Sequence, residues 1–340
     1  MCLLPKSYFC FVFLHNVKIE KNNLPGVMVL KKIFRYLISF LLLFVSVGVY
    51  FSNRIMYMKK KDDDFILHRE KEAGRFDPEI FEHLPKREIL IPSSFGYHLK
   101  AIVVEPHITN KYMIFCHGVT ENKINSVKYM NLFLERGFNA VIYDQRRHGE
   151  SGGKTTSYGH YEKFDLKTIV DWLRMDRGHD LRLGIHGESM GAVTMLLYAG
   201  MIEDGADFYI ADCPFSDFKE QLAYQLKTEM KLPPKLFLPV ADLFIKMRQK
   251  YSLGDVSPIS VIENIKNPIL FIHSQKDDFI LPTMTEALYE QKKGPKRLFL
   301  AANGVHAQSF NENKEDYEKV LDEFLQDYVY RSSIHDKALS

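Results

Sequence analysis

From residue 86 onward, short apolar runs rich in β-branched and aromatic residues alternate with segments of helical period. The runs at 87–93 (REILIPS), 97–105 (YHLKAIVVE), 112–117 (YMIFCH), 138–143 (FNAVIY), 181–186 (LRLGIH), 207–212 (DFYIAD), 268–273 (PILFIH) and 297–301 (RLFLA) predict eight strands. Amphipathic segments at 122–136, 160–177, 189–203, 284–293 and 313–329 predict helices between most of them. Only a short polar turn, Ser94-Phe95-Gly96, joins the first two strands, which makes them an antiparallel hairpin. From the third strand on, helices separate the strands, so the sheet is expected to be mostly parallel and covered on both faces. Residues 215–256 break the alternation with two helical segments punctuated by Pro233 and Pro234. An insertion there, after the sixth strand, reads as a helical cap.

The N-terminal part has a different texture. Residues 36–53 read YLISFLLLFVSVGVYFSN, eighteen positions without a charge, enough for a membrane-spanning helix. The expectation is a single-pass anchor over 33–53 that holds the protein at the cell membrane. Lys31, Lys32 and Arg35 flank one end and Arg54 and Lys59–Lys61 the other, so the positive-inside rule is nearly silent. A cleaved signal peptide is the rival, with Ser46-Val47-Gly48 as a poor cleavage site because Tyr50 and Phe51 follow it. A buried core helix is the third reading. Met28 begins MVLKKIFRYLISFLLLF, which reads as a natural start. Residues 1–32 are therefore taken as a tail whose first 27 residues are an over-extended start. Residues 54–86, with KKKDDD at 59–64, read as a charged linker, a stalk or helical connection. A compact domain is expected over 87–331, followed by a tail over 332–340. On this division a chain beginning at residue 62 should fold and act without the anchor.

Composition narrows the classes. The chain has 340 residues, 46% apolar and 26% charged, a balance that supports a real core and excludes general disorder. Forty-five Lys and Arg against 43 Asp and Glu give a net charge of only +2, with both signs interleaved, which argues against a nucleic-acid partner. Four cysteines are too few for a disulfide scaffold, and none are in CxxC spacing, so no structural zinc is implied. Cys116 and Cys213 lie in apolar runs and read as buried thiols.

Two G-x-S-x-G matches carry the candidate chemistry. Gly187-Glu188-Ser189-Met190-Gly191 follows a strand and opens an apolar helix, as a nucleophile elbow requires. Gly149-Glu150-Ser151-Gly152-Gly153 lies in a polar loop between QRRHGE and KTTSYG, which makes Ser151 the decoy. A nucleophilic serine needs a base, and the base needs an orienting carboxylate. Asp277 and Asp278 follow the seventh strand, and His306 follows the eighth. Both loops lie at carboxyl ends of strands, where open parallel sheets bind ligands. In the order serine, acid, histidine, the candidates are Ser189, Asp277 or Asp278, and His306. The amide N–H of Met190, next after the nucleophile, is one candidate oxyanion donor; the loop His117-Gly118-Val119 should supply another.

From about residue 88 to 330 the chain resembles the α/β-hydrolase superfamily. It is most similar to the bacterial, membrane-anchored branch described as serine aminopeptidase-like or monoacylglycerol-lipase-like. The matching pieces are Cys116-His117-Gly118-Val119, the run from Tyr143 to Ser151, the elbow around Ser189, Asp212-Cys213-Pro214-Phe215-Ser216, and Val305-His306-Ala307-Gln308-Ser309. The family's HGxxDxxVP block stands here as HSQKDDFILP over 273–282, with Ser274 for the glycine and Ile280 for the valine. The resemblance implies an eight-stranded α/β-hydrolase fold, Asp277 as the acid and Val119 as the second oxyanion donor. In the family's Arg-Gly-His-Gly loop, Arg147 takes the place of a glycine. Asp144 and Arg146 read as a structural ion pair, and His117 and His148 as structural histidines. The expected activity is hydrolysis of a small acyl ester or lipid-like substrate, with no metal or organic cofactor. A peptidase for short peptides is the alternative, with Asp217, Glu220 and Glu229 as candidate amine-binding acids. A non-catalytic binding module on the same scaffold is the other.

Overall fold

The computed structural model describes residues 25–330. Residues 1–24 of the expected over-extended start, with Cys2 and Cys10, lie outside the described residues, as does the tail over 332–340. The chain divides into two units, residues 1–46 and 47–340. The described part of the first is helix, the beginning of α1 (Pro25–Met56). Its apolar side chains, among them Leu37, Phe40, Leu41 and Leu43, are exposed.

The second unit is built on eight strands: β1 (Lys86–Pro92), β2 (His98–Val104), β3 (Lys111–Cys116), β4 (Asn139–Tyr143), β5 (Arg182–Glu188), β6 (Phe208–Asp212), β7 (Ile269–Ser274) and β8 (Lys296–Ala301). Their order across the sheet is β1-β2-β4-β3-β5-β6-β7-β8. β1 and β2 form the expected antiparallel hairpin, β2 pairs antiparallel with β4, and all pairs from β4 to β8 are parallel. The predicted strands lie within two residues of the observed ones. Period-2 alternation explains the two buried faces: in β3, Ile114 and Cys116 join one apolar cluster while Met113 and Phe115 join the other.

The helices of the second unit are α2 (Asp63–Glu72), α3 (Pro78–His83), α4 (Val127–Leu134), α5 (Glu162–Arg177), α6 (Met190–Met201), α7 (Phe218–Thr228), α8 (Pro234–Gln249), α9 (Pro282–Gln291), α10 (Ser309–Glu312) and α11 (Lys314–Leu325). α6 is buried from Met190 to Gly200, which fits its apolar composition. α7 and α8 form the insertion expected at 215–256, and their apolar residues build a third cluster with Met190 and Ile280.

Residues 47–86 are where the fold departs from the sequence reading. Phe51, Ile55 and Met56 are core residues of the third cluster. The charged stretch folds into α2 and α3. Asp62 caps α2 by accepting from the Asp64 amide (3.1 Å), and Asp77 caps α3 by accepting from Glu79 and Ile80 (2.9 and 3.2 Å). Arg69 donates two hydrogen bonds to Glu121 (3.0 and 2.8 Å), Lys61 pairs with the same carboxylate, and Arg75 donates to Glu70 (2.6 Å). Phe76 and Phe81 are buried in the second cluster. Lys61 and Arg69 of this stretch are thus matched to Glu121 of the domain, and Arg75 to Glu70 within the stretch. A chain starting at residue 62 lacks part of the core, so its independence from the preceding helix does not follow.

Candidate active site

The turn between β5 and α6 puts Ser189 at φ 53° and ψ −117°, in the sparsely populated region that an elbow forces on its nucleophile. The flanking glycines are steric necessities. A Cβ on Gly191 would lie 2.0 Å from the Cys116 carbonyl oxygen, and one on Gly187 would lie 2.4 Å from the Ala192 nitrogen. The Ser189 amide donates to the Asp212 carbonyl (2.8 Å), which fixes the turn to β6.

The loops after β7 and β8 bring the other two candidates to this serine. Ser189 Oγ lies 2.9 Å from His306 Nε2, and His306 Nδ1 lies 2.7 Å from Asp277 Oδ2. With Nδ1–H donating to the carboxylate, Nε2 is free to accept from the serine hydroxyl. The other oxygen of Asp277 accepts from the Phe279 and Ile280 amides, both at 2.9 Å. Burial alone would raise the Asp277 carboxyl, but hydrogen bonds from His273 and His306 outweigh it and hold the group well below the usual carboxylate range. Asp278 is exposed and uses its backbone carbonyl to accept from Tyr224 (2.9 Å). A Cβ on Gly118 would lie 3.6 Å from Ser189 Cβ, so the loop carrying Val119 packs directly on the serine, and Val119 and Met190 line one cavity with it.

Two chambers meet at Ser189. One is an apolar cavity of about 260 Å³, lined by Phe51, Ile55, Met190, Phe218, Leu226 and Ile280 among others. The second, about 430 Å³, is polar and carries Arg69, Glu121, Asn125, Lys128, His306 and Gln308. Met58, Val119, Ser189 and Phe279 line both.

Comparison with known proteins gives this geometry its family. The family described as "Serine aminopeptidase, S33" matches residues 108–255. The Bacillus subtilis protein YqkD is 53% identical over 282 residues, covering 83% of this chain and 92% of its own. The chain belongs to the α/β-hydrolase superfamily, on its S33-like branch. Among solved structures, the Pyrococcus furiosus esterase Pf2001 shares the fold with a TM-score of 0.61 at 23% identity, over 74% of this chain and 94% of its own. Est1E of Butyrivibrio proteoclasticus, solved with ferulic acid bound, has a TM-score of 0.57 at 18% identity, over 71% and 99%. These likenesses show that the protein has the α/β-hydrolase fold.

Asp144 and Arg146 depart from the sequence reading, whereas Ser151, His117 and His148 take the structural places expected of them. Asp144 does not pair with Arg146. It binds the Lys123 ammonium and amide (both 2.8 Å), while Arg146 turns away to the Thr155 carbonyl (2.7 Å) and the Tyr97 hydroxyl (3.2 Å). The decoy Ser151 is buried; it donates to the Asp144 carbonyl (2.6 Å) and accepts from the Lys100 amide (2.8 Å). His117 Nε2 accepts from the Gln145 amide (2.9 Å) and Nδ1 meets the Gly118 carbonyl (2.7 Å), so the ring supports the loop. His148 does the same for Thr120, accepting from its amide at 3.2 Å. The sequence reading assigned no role to His273, yet its Nε2 reaches Asp277 Oδ2 (3.0 Å) and the Ile280 carbonyl (2.9 Å), a second contact on the carboxylate that meets His306. Its position at the head of the HSQKDD block was the available signal.

A buried polar network under the elbow was likewise not foreseen. Glu188 accepts from Asn125 (2.9 Å), Lys128 (3.0 Å) and Tyr129 (2.8 Å). Beside it, burial first and then the Glu188 charge push the Asp212 carboxyl up from 3.8 to about 7. Folded Asp212 therefore keeps a proton between these two values, where the unfolded chain has lost it. Its contribution to stability is present at low pH and fades as pH rises toward about 7. Asp212→Asn, neutral throughout, is expected to gain stability relative to the parent at pH 8 compared with pH 5. Thermal unfolding of both proteins at the two pH values checks this; a pH-independent difference would mean that Asp212 is ionised in the folded state.

Proposed function

We propose that the protein is a membrane-anchored serine hydrolase that cleaves acyl esters through an acyl-enzyme. The observation that carries this reading is the hydrogen-bonded line Ser189–His306–Asp277 at the junction of an apolar and a polar chamber. Ser189 Oγ attacks the acyl carbonyl as His306 Nε2 takes its proton. Asp277 keeps Nδ1 protonated and stabilises the imidazolium. The amide N–H groups of Met190 and Val119 hold the developing oxyanion, a contribution of about 10²–10³ in rate for a single donor. His306 then returns the proton to the leaving alkoxide, and water repeats the sequence to release the acid. The apolar chamber suits the acyl chain and the polar chamber the alcohol. The three cap acids do not form an amine-binding recess. Asp217 is engaged as the α7 cap, accepting from the Glu220 amide (3.1 Å), and Glu220 lines neither chamber. Only Glu229 reaches the apolar cavity. A fluorophosphonate probe should label Ser189, and esters should be turned over in preference to aminoacyl arylamides; preference for the arylamides would favour the peptidase reading instead.

The exposed apolar helix supports the anchor. Full-length protein is expected to stay with membranes through a high-salt wash, because burial of an apolar span is insensitive to screening whereas attraction by basic flanks is not. Recovery of uncleaved protein in the supernatant would end the anchor proposal. A mature chain starting near residue 49 would replace it with a signal peptide.

A further inference from the structure

The C-terminal turns of α1 do more than an anchor needs. Phe51 and Ile55 are four residues apart, on one helix face, and only 8% and 7% exposed. Both point into the apolar cavity beside Ser189, and Met58, just past the helix, lines it too. The segment is held by specific hydrogen bonds. Arg248 of α8 donates to Ser52 Oγ (2.6 Å), the Thr156 amide donates to the Met56 carbonyl (3.0 Å), and Arg147 donates to the Met58 carbonyl (2.8 Å). Phe51 also packs on Phe237 of α8, with ring centroids 5.3 Å apart. A tether requires only apolarity and length; three pinned backbone or side-chain groups and two inward-facing side chains describe a wall.

We infer that the end of α1 is part of the acyl-binding site, and that Phe51 and Ile55 set the length of acyl chain accepted. This rests on the hydrolase reading above. An apolar cavity of about 150 Å³ holds a benzene ring, so one of about 260 Å³ has room for roughly ten carbons. The substrate class is therefore an ester of a medium-chain acid, and its alcohol faces the polar chamber. The helix that holds the protein at the membrane and the helix that measures the chain are one element.

The test uses full-length protein in detergent with p-nitrophenyl acetate, decanoate and palmitate. The parent should prefer decanoate. Ile55→Trp fills the cavity and should lower the decanoate-to-acetate ratio of kcat/KM at least ten-fold. Phe51→Ala enlarges it and should raise the palmitate-to-decanoate ratio several-fold. Fluorophosphonate labelling of Ser189 reports that each variant retains a folded site, and a misfolded Ile55→Trp leaves Phe51→Ala to decide. If labelled variants change all three esters by the same factor, the two residues are structural only and the inference falls. If the parent neither labels nor cleaves any ester, the hydrolase reading falls and takes this one with it.

Discussion

Ser189→Ala is expected to abolish covalent labelling by a fluorophosphonate and to lower ester turnover by about 10⁶-fold, the size of effect seen when the nucleophile of such a unit is removed. The residue has no substitute nearby. The elbow presents its Oγ to His306 at 2.9 Å, on the wall shared by both chambers, and among the described residues no other serine lines either of them. Ser151→Ala is the control, because Ser151 lies in the competing motif. Its hydroxyl is consumed by the Asp144 carbonyl and the Lys100 amide. Losing those bonds costs about 1 kcal/mol or somewhat more of stability and leaves the nucleophile in place. Labelling of Ser151→Ala should therefore persist with a lower unfolding midpoint. Labelling that survives Ser189→Ala and vanishes in Ser151→Ala would reverse the assignment.

The sheet was legible in the sequence because strand signals are local. Alternating or continuous apolar runs, bounded by turn residues, fix each strand to within two residues, and the length of each connection fixes whether its neighbour is parallel. The position of the elbow was legible for the same reason, since a strand, a tight glycine-bracketed turn and an apolar helix are contiguous. What was not legible depends on partners distant in the chain. An apolar run has the same appearance whether it faces lipid or a cap, so nothing in SVGVYFSN distinguishes exposed Tyr50 from buried Phe51. A charge run has the same appearance whether it is solvated or paired, and only the fold brings Arg69 to Glu121, 52 residues away. Asp144 and Arg146 illustrate the converse. Proximity in sequence suggested a pair, but the turn after β4 sends their side chains to different partners. Asp277 and Asp278 differ by a one-residue register that residue type cannot distinguish, and the loop turns the carboxylate of Asp277, not that of Asp278, to His306.

That register gives the second large effect. Asp277→Asn is expected to leave the fold in place and to lower ester turnover about 10³ to 10⁴-fold, the scale of losing tautomer control. The direction follows from the hydrogen bonds of the two carboxylate oxygens. Oδ1 accepts from the Phe279 and Ile280 amides at 2.9 Å, so an asparagine must keep its carbonyl oxygen there. Its NH₂ group then occupies the place of Oδ2 and faces His306 Nδ1 at 2.7 Å. Two donors cannot share that contact, so His306 takes the tautomer with Nε2–H, which points at Ser189 and can no longer accept its proton. The same NH₂ group meets His273 Nε2, which also serves the Ile280 carbonyl, so the variant should unfold at a lower temperature as well. Asp278→Asn alters an exposed side chain and should cost little in either measurement. Steady-state kinetics and thermal unfolding of the two variants separate the positions. Equal losses of turnover would mean that the 2.7 Å contact between Asp277 and His306 does not govern the base.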